Sequence, residues 1–199
     1  MITQTINWQD TSEQQKTDAL ARPAIADNAL LSTQVANILS QVNKQGDKSL
    51  FALTEQFDGI ALTTLKVTAE QVQKAKLALT DKRLKAISTA YANIKSFHSA
   101  QAPEDVFVET CPGVRCTLKT EAIESVGLYI PAGTAPLPST VLMLGVPAQL
   151  TGCNRTVLVC PPDKNGQLAN EILVAAELCG ITEIYTVGGA QAIAALAYG

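Results

Sequence analysis

The 199 residues hold one histidine and one tryptophan, and charged side chains make up 17% of them against a usual figure of about 25%. A single histidine, His98, excludes any multi-histidine metal site in the chain. No two of the five cysteines stand in C-x-x-C spacing, so neither a zinc knuckle nor a disulfide framework is predicted. Cys111, Cys116, Cys153, Cys160 and Cys179 are expected to be reduced and mostly buried, as small apolar side chains. The opening MITQTINWQD lacks the basic start and apolar core of a secretory signal, which predicts a cytoplasmic chain. No apolar run approaches the roughly 20 residues that span a bilayer; the richest, Val141 to Leu150, is broken by Gly145, Pro147 and Gln149. With 15 Lys and Arg against 18 Asp and Glu, the net charge of −3 leaves nothing to neutralise a phosphate backbone, and nucleic acid is excluded as a partner. There is no G-x-G-x-x-G and no G-K-[ST], and one histidine far in sequence from the cysteines completes neither a Ser-His-Asp nor a Cys-His set. No catalytic residue and no metal ligand is therefore assigned.

Apolar residues, at 47%, are at the ordinary globular level, so a real core is expected. The chain divides near Ser125 into two compositions: residues 126–199 hold nine of the twelve glycines but only six charged residues. The first part reads as helical. After an arm (1–25) with a short helix capped before Glu13, Arg22-Pro23 interrupts the pattern. From Ala29 to Gln45 the positions Leu31, Val35, Ile38, Leu39 and Val42 recur at helical spacing, and Gly46 supplies a left-handed stop. A short helix follows through Phe57, then a strand over 62–68, then a capping box at Thr68 to Gln71 that opens a helix through Leu79. The longest helix is expected over 81–101, with Leu84, Ile87, Tyr91 and Ile94 in one stripe. Beyond Pro103, two β-like runs flank Cys111-Pro112-Gly113 as a hairpin.

The second part alternates strand and helix: strands at 126–130, 156–160 and 183–187, helices at 139–150 and 168–179, and a last helix from about Gly189. VGLYI, TVLVC and EIYTV are nearly continuous apolar runs, the pattern of parallel strands covered on both faces. The fold class is thus α/β, a helical segment (26–124) followed by an incomplete, Rossmann-like βαβαβα domain (125–199). A three-strand parallel sheet followed by an apolar helix that reaches the last residue predicts a chain truncated at its C-terminus.

The loop 131–138 lies between the first of these strands and a helix with Ser139 as expected N-cap, where open α/β sheets place ligands. Tyr129 ends that strand and offers either a core ring or a stacking surface with a hydroxyl handle. Gly188-Gly189 precedes a helix whose first turn carries one polar side chain, Gln191, which either caps backbone groups or reaches a ligand. His98 adjoins an apolar stripe and reads as structural, and Glu109, Glu121 and Glu124 read as solvated charges rather than a paired acid and base.

Ser125 to Cys153, SVGLYIPAGTAPLPSTVLMLGVPAQLTGC, closely resembles the histidinol dehydrogenase family, and VGGAQAIAALAYG at 187–199 matches a second segment of it. Arg22-Pro23-Ala24, Gly46-Asp47, Phe97-His98 and Pro112-Gly113-Val114-Arg115-Cys116 fall in the same order, so the resemblance covers essentially the whole chain and about half of the family's length. It implies an NAD-linked, zinc-dependent oxidation of L-histidinol through L-histidinaldehyde to L-histidine by an intertwined homodimer with incomplete Rossmann-type domains. It also implies cofactor-contacting roles for Tyr129 and Gln191. The family's Glu-His acid/base pair and its Gln, His, Asp and His zinc ligands belong to its later half, so this chain alone is expected to be inactive. The resemblance departs at Ala132, where the family commonly carries a second glycine and where alanine is strained if positive φ is required. The alternative from another class is a non-catalytic nucleotide-binding or interaction module.

Overall fold

The structure, a computed structural model, describes residues 5–21, 29–131 and 135–199. The expected break at Arg22-Pro23 and the departure at Ala132 lie outside the described residues. Contacts divide the chain into two compact units, Met1–Val35 and Ala36–Gly199. In the smaller, a 3₁₀ turn at Trp8–Asp10 precedes α1 (Glu13–Leu20). The Ser12 hydroxyl and the Gln15 side chain reciprocally satisfy each other's backbone N–H there, which fixes the helix start.

The larger unit is built on two facts of sequence: apolar strands and helices with one apolar stripe. Helix α2 (Ala29–Gln45), of which the part from Ala36 onward belongs to this unit, stops at Gly46, whose φ of +55° reverses the chain directly into α3 (Asp47–Asp58). The Thr68–Gln71 capping box opens α4 (Ala69–Ala78), and α5 runs from Asp81 to Ser99. The hairpin forms as expected, β1 (Val106–Cys111) pairing antiparallel with β2 (Val114–Leu118) around Pro112-Gly113. There follow β3 (Ser125–Tyr129), α6 (Pro138–Leu150), β4 (Arg155–Cys160), α7 (Asn170–Leu178), β5 (Glu183–Thr186) and α8 (Gly189–Tyr198).

β3, β4 and β5 form a parallel sheet in that order, with Leu128 beside Leu158 and Val159 beside Tyr185. The strand expected over 62–68 contributes only a single antiparallel bridge, Lys66 to Tyr185. Two backbone bonds hold it: Val67 N–H donates to Ile184 C=O at 2.9 Å and Thr186 N–H to Leu65 C=O at 2.7 Å. Pairing ends there because Thr68 turns away to cap α4.

Alternation along each strand sends side chains to two separate cores. Leu128, Ile130, Leu158, Cys160 and Ile184 pack on one face with α6 and α7, over which α4 and α5 lie as an outer layer. Tyr129, Val159, Tyr185 and Val187 pack on the other with α2, α3 and α8. The consecutive connections α6 and α7 thus share one face while α8 crosses the opposite one back toward β3, where a Cβ on Gly127 would stand 2.6 Å from Leu196 Cδ1. A chain that changes faces in this way leaves a crevice beyond the carboxyl ends of its strands.

Candidate functional site

Tyr129 and Gln191, 62 residues apart, both lie against Gly189 at that carboxyl end. Tyr129 lies on the α8 face of the sheet, half-buried against the second core, and its hydroxyl accepts a hydrogen bond from Gly189 N–H at 3.4 Å. Gly189 has a φ of +62°, a conformation that L side chains rarely adopt. Its missing side chain leaves room for the Gln191 amide: a Cβ there would stand 2.5 Å from Oε1 and 3.1 Å from Nε2. Gln191 is only 1% exposed, and among the described residues its amide has no hydrogen-bond partner. An amide this buried with no protein partner is free to hydrogen-bond a ligand that reaches it.

On the other face of the sheet, a crevice of about 290 Å³ opens between the ends of β3 and β4, lined by Pro131, Leu137, Pro161, Leu168 and Ile172 among others. Its rim is rigid. Asp163 Oδ1 accepts from the backbone N–H groups of Asn165 and Gln167, each at 2.8 Å, which ties the turn after β4. One expectation is corrected here: α6 begins at Pro138 with Leu137 as its N-cap, not at Ser139, and no side chain caps it. Proline at the first helical position has a preset φ and no N–H to satisfy, so it takes that position and the cap falls two residues before the expected serine. Gly188, by contrast, brings the end of β5 against β4; a Cβ on it would lie 2.3 Å from Pro161 Cγ. The doubled glycine was the sequence signal for this packing.

The remaining candidates do not join the site. His98 Nδ1 bonds Gln101 Oε1, just beyond the end of α5, at 2.7 Å, and its ring meets that of Phe97 on the same helix edge to face at 5.6 Å. Glu109 accepts from Gly113 N–H at 2.9 Å and pairs with Arg115 at 3.9 Å, while Glu121 pairs with Lys119. No three His, Cys, Asp or Glu side chains converge to hold a metal among the described residues. Burial pushes the Cys160 thiol up to about 12 and the Cys179 thiol up to about 11. Of the cysteines expected to be mostly buried, however, only these two are; Cys111 and Cys116 are exposed because the hairpin that carries them is bare on both sides.

Parallel strands, helices on both faces and a polar pair at the carboxyl end define an α/β domain of the kind that takes ligands beyond its strand ends. The family whose profile matches residues 21–199 is histidinol dehydrogenase, and the chain belongs to that family. The histidinol dehydrogenase of Colwellia psychrerythraea is 83% identical over 199 residues, 100% of this chain and 46% of the relative. That of Vibrio vulnificus (strain YJ016) is 51% identical over 98% of this chain and 44% of its own length. The crystal structure of histidinol dehydrogenase from Elizabethkingia anophelis superposes with a TM-score of 0.88 at 38% identity, covering 95% of this chain and 43% of that one. The chain thus spans less than half the length of the relatives it matches. Among its described residues no helix is long and apolar enough to cross a membrane.

Proposed function

We propose that this chain forms the cofactor-binding part of a histidinol dehydrogenase, in which the complete protein, a cytoplasmic homodimer, oxidises L-histidinol through L-histidinaldehyde to L-histidine. The observation that carries the reading is the meeting of the Tyr129 hydroxyl, the Gly189 N–H and the unpartnered Gln191 amide in a member of this family. These groups fit NAD in kind. A phenol ring and a neutral amide suit a flat heterocycle and its polar edge, and the amide needs partners that the protein does not give it. NAD, when bound, supplies the hydride acceptor. Tyr129 would present its ring and hydroxyl, Gln191 would donate and accept through its amide, and the apolar strand ends would exclude water. Zinc has no fit among these residues, since no ligand cluster is present among those described. Its place is proposed to lie in the part of the protein that this chain does not contain, together with the acid/base pair.

The test is L-histidinol-dependent NADH formation by the complete gene product, with and without a zinc chelator. Chelator-sensitive activity is expected; inactivity of a zinc-loaded complete protein would overturn the reading in favour of a non-catalytic nucleotide-binding module. No turnover is expected from the 199 residues alone. Tyr129→Ala and Gln191→Ala are each expected to raise the KM for NAD about tenfold, the loss of one hydrogen-bonded contact.

A further inference from the structure

We propose that Gly189 is a positioning residue of the same site, the element that holds Tyr129 and Gln191 in one arrangement. The inference rests on the reading that those two side chains contact NAD. The two glycines at the end of β5 do different work. Gly188 has extended backbone, and the atoms that a side chain on it would strike belong to the Pro161 ring and include its backbone Cα at 3.2 Å. Nothing rigid can give way there, so Gly188 is a packing position. Gly189 faces the opposite situation: the atoms nearest to its absent Cβ are Oε1, Cδ and Nε2 of Gln191, the far end of a flexible side chain. A side chain that the positive φ tolerates would therefore push the amide aside rather than dislodge the helix.

The same residue also fixes the other partner. Its N–H is the single described donor to the Tyr129 hydroxyl, across the sheet from β5 to β3. In this structure every residue with positive φ among those described is glycine, and Gly189 is the only one of them that touches a candidate site residue on both sides. Its turn sets the direction of the N–H, and its bare Cα sets the room for the amide. One residue thus couples two side chains that do not hydrogen-bond each other. A substitution there that keeps the turn is expected to act through Gln191.

The experiment is NAD affinity of the complete gene product by calorimetry, on Gly189→Asn, Gln191→Ala and the double variant, with the melting temperature of each as a check on folding. Asparagine tolerates positive φ better than other side chains, so the turn survives while a Cβ is introduced. Gly189→Asn is expected to weaken NAD binding about tenfold, similar to Gln191→Ala, and the double variant to be within about twofold of Gln191→Ala alone. Where Gln191→Ala weakens binding and Gly189→Asn does not, or where the two effects simply multiply, the positioning role is overturned and the NAD reading stands. Where Gln191→Ala itself leaves NAD affinity unchanged, the NAD reading falls and this inference falls with it. If Gly189→Asn does not fold, Tyr129→Phe decides, since it removes the acceptor of the Gly189 N–H and leaves the turn alone: combined with Gln191→Ala, a loss smaller than the product of the two single losses is expected, and losses that simply multiply overturn the proposal.

Discussion

The chain builds two sheets from similar residues and treats them oppositely. Every residue of the β1–β2 hairpin is exposed, whereas Leu158 in the central strand of the parallel sheet is 0% exposed and Ile184 beside it 1%. Connection type explains the difference. A hairpin closes over two residues and brings no cover with it, while parallel strands require crossovers; the crossover helices α6 and α7 seal one face of the sheet, and α2, α3 and α8 cover the other. The hairpin is not featureless. Its register pairs Val106 with Leu118, Val108 with Cys116 and, past an irregularity at Thr110, Cys111 with Val114, so these six share one face. Phe107, Thr117, Glu109 and Arg115 lie on the other.

The largest expected contrast between the two sheets is chemical. At pH 8 the thiols at 160 and 179, pushed up to about 12 and about 11, hold only about one part in 10⁴ and one part in 10³ as thiolate, and they are buried besides. Cys111 and Cys116 are therefore expected to react with a disulfide reagent at least about a thousandfold faster than Cys160. Mass-mapped labelling in the native protein reads this directly; equal rates would mean that the parallel sheet opens as readily as the hairpin. Stability should follow the same division. Leu158→Ala is expected to cost about 2–5 kcal/mol in denaturant unfolding, as a methyl-lined cavity opens between two helical layers, while Val108→Ala on the hairpin should stay within about 0.5 kcal/mol.

Much of the covered sheet was legible because its signals are local. The helix from Ala29 to Gln45, the Thr68–Gln71 capping box and the three apolar runs each report on themselves, and the structure keeps them, although Leu31 at the start of the helical stripe stays exposed. What was not legible depends on partners. The run over 62–68 has strand-like residues, but only one of them finds an edge, beside β5, and the start of α6 was decided by a proline's preset φ rather than by the serine that follows it. The exposure of Cys111 and Cys116 was likewise invisible in a pattern that counts apolar neighbours along the chain, because cover comes from elsewhere in the fold. Tyr129 and Gln191 stood out as single oddities, a ring at a strand end and an amide among alanines. That Gly189 joins them is a fact of the sheet, since it requires β3 and β5 to be placed across β4.

The helical cover can be tested where it is tightest. Gly145 of α6 packs against α7 and the turn beyond it, and a Cβ there would stand 2.8 Å from Cys179 Sγ, 2.9 Å from its Cβ and 3.2 Å from Ile181 Cδ1. Helix propensity alone favours alanine over glycine by about 1 kcal/mol, but a short stem such as the cysteine Cβ cannot swing away. Overpacking therefore outweighs propensity, and Gly145→Ala is expected to destabilise by about 1–3 kcal/mol in thermal or denaturant unfolding. A stabilised variant would show that α6 and α7 separate at small cost. Gly113→Ala in the hairpin is a contrasting case, since nothing lies within 4 Å and only its φ of +84° opposes the change.

Each sheet also carries a cross-strand Arg–Glu pair, and the two differ in geometry. Arg155 grips Glu183 with two bonds, Nε to Oε1 at 2.8 Å and Nη2 to Oε2 at 2.7 Å, whereas Arg115 approaches Glu109 no closer than 3.9 Å. The two-point hydrogen bond from Arg155 holds the Glu183 carboxyl below its usual range, and its charge adds to the effect. A carboxyl with a depressed native value stabilises the fold above its unfolded value, near pH 4.3, and that contribution is lost as pH falls through the native value. The pair is solvent-exposed, so Glu183→Gln is expected to cost only about 0.2–1 kcal/mol at pH 7 and progressively less below about pH 4, where the wild type loses the same interaction. Denaturant midpoints of wild type and variant at the two pH values measure it. A difference that persists undiminished at pH 3 would mean that shape at the ends of β4 and β5, rather than charge, is what the glutamate supplies.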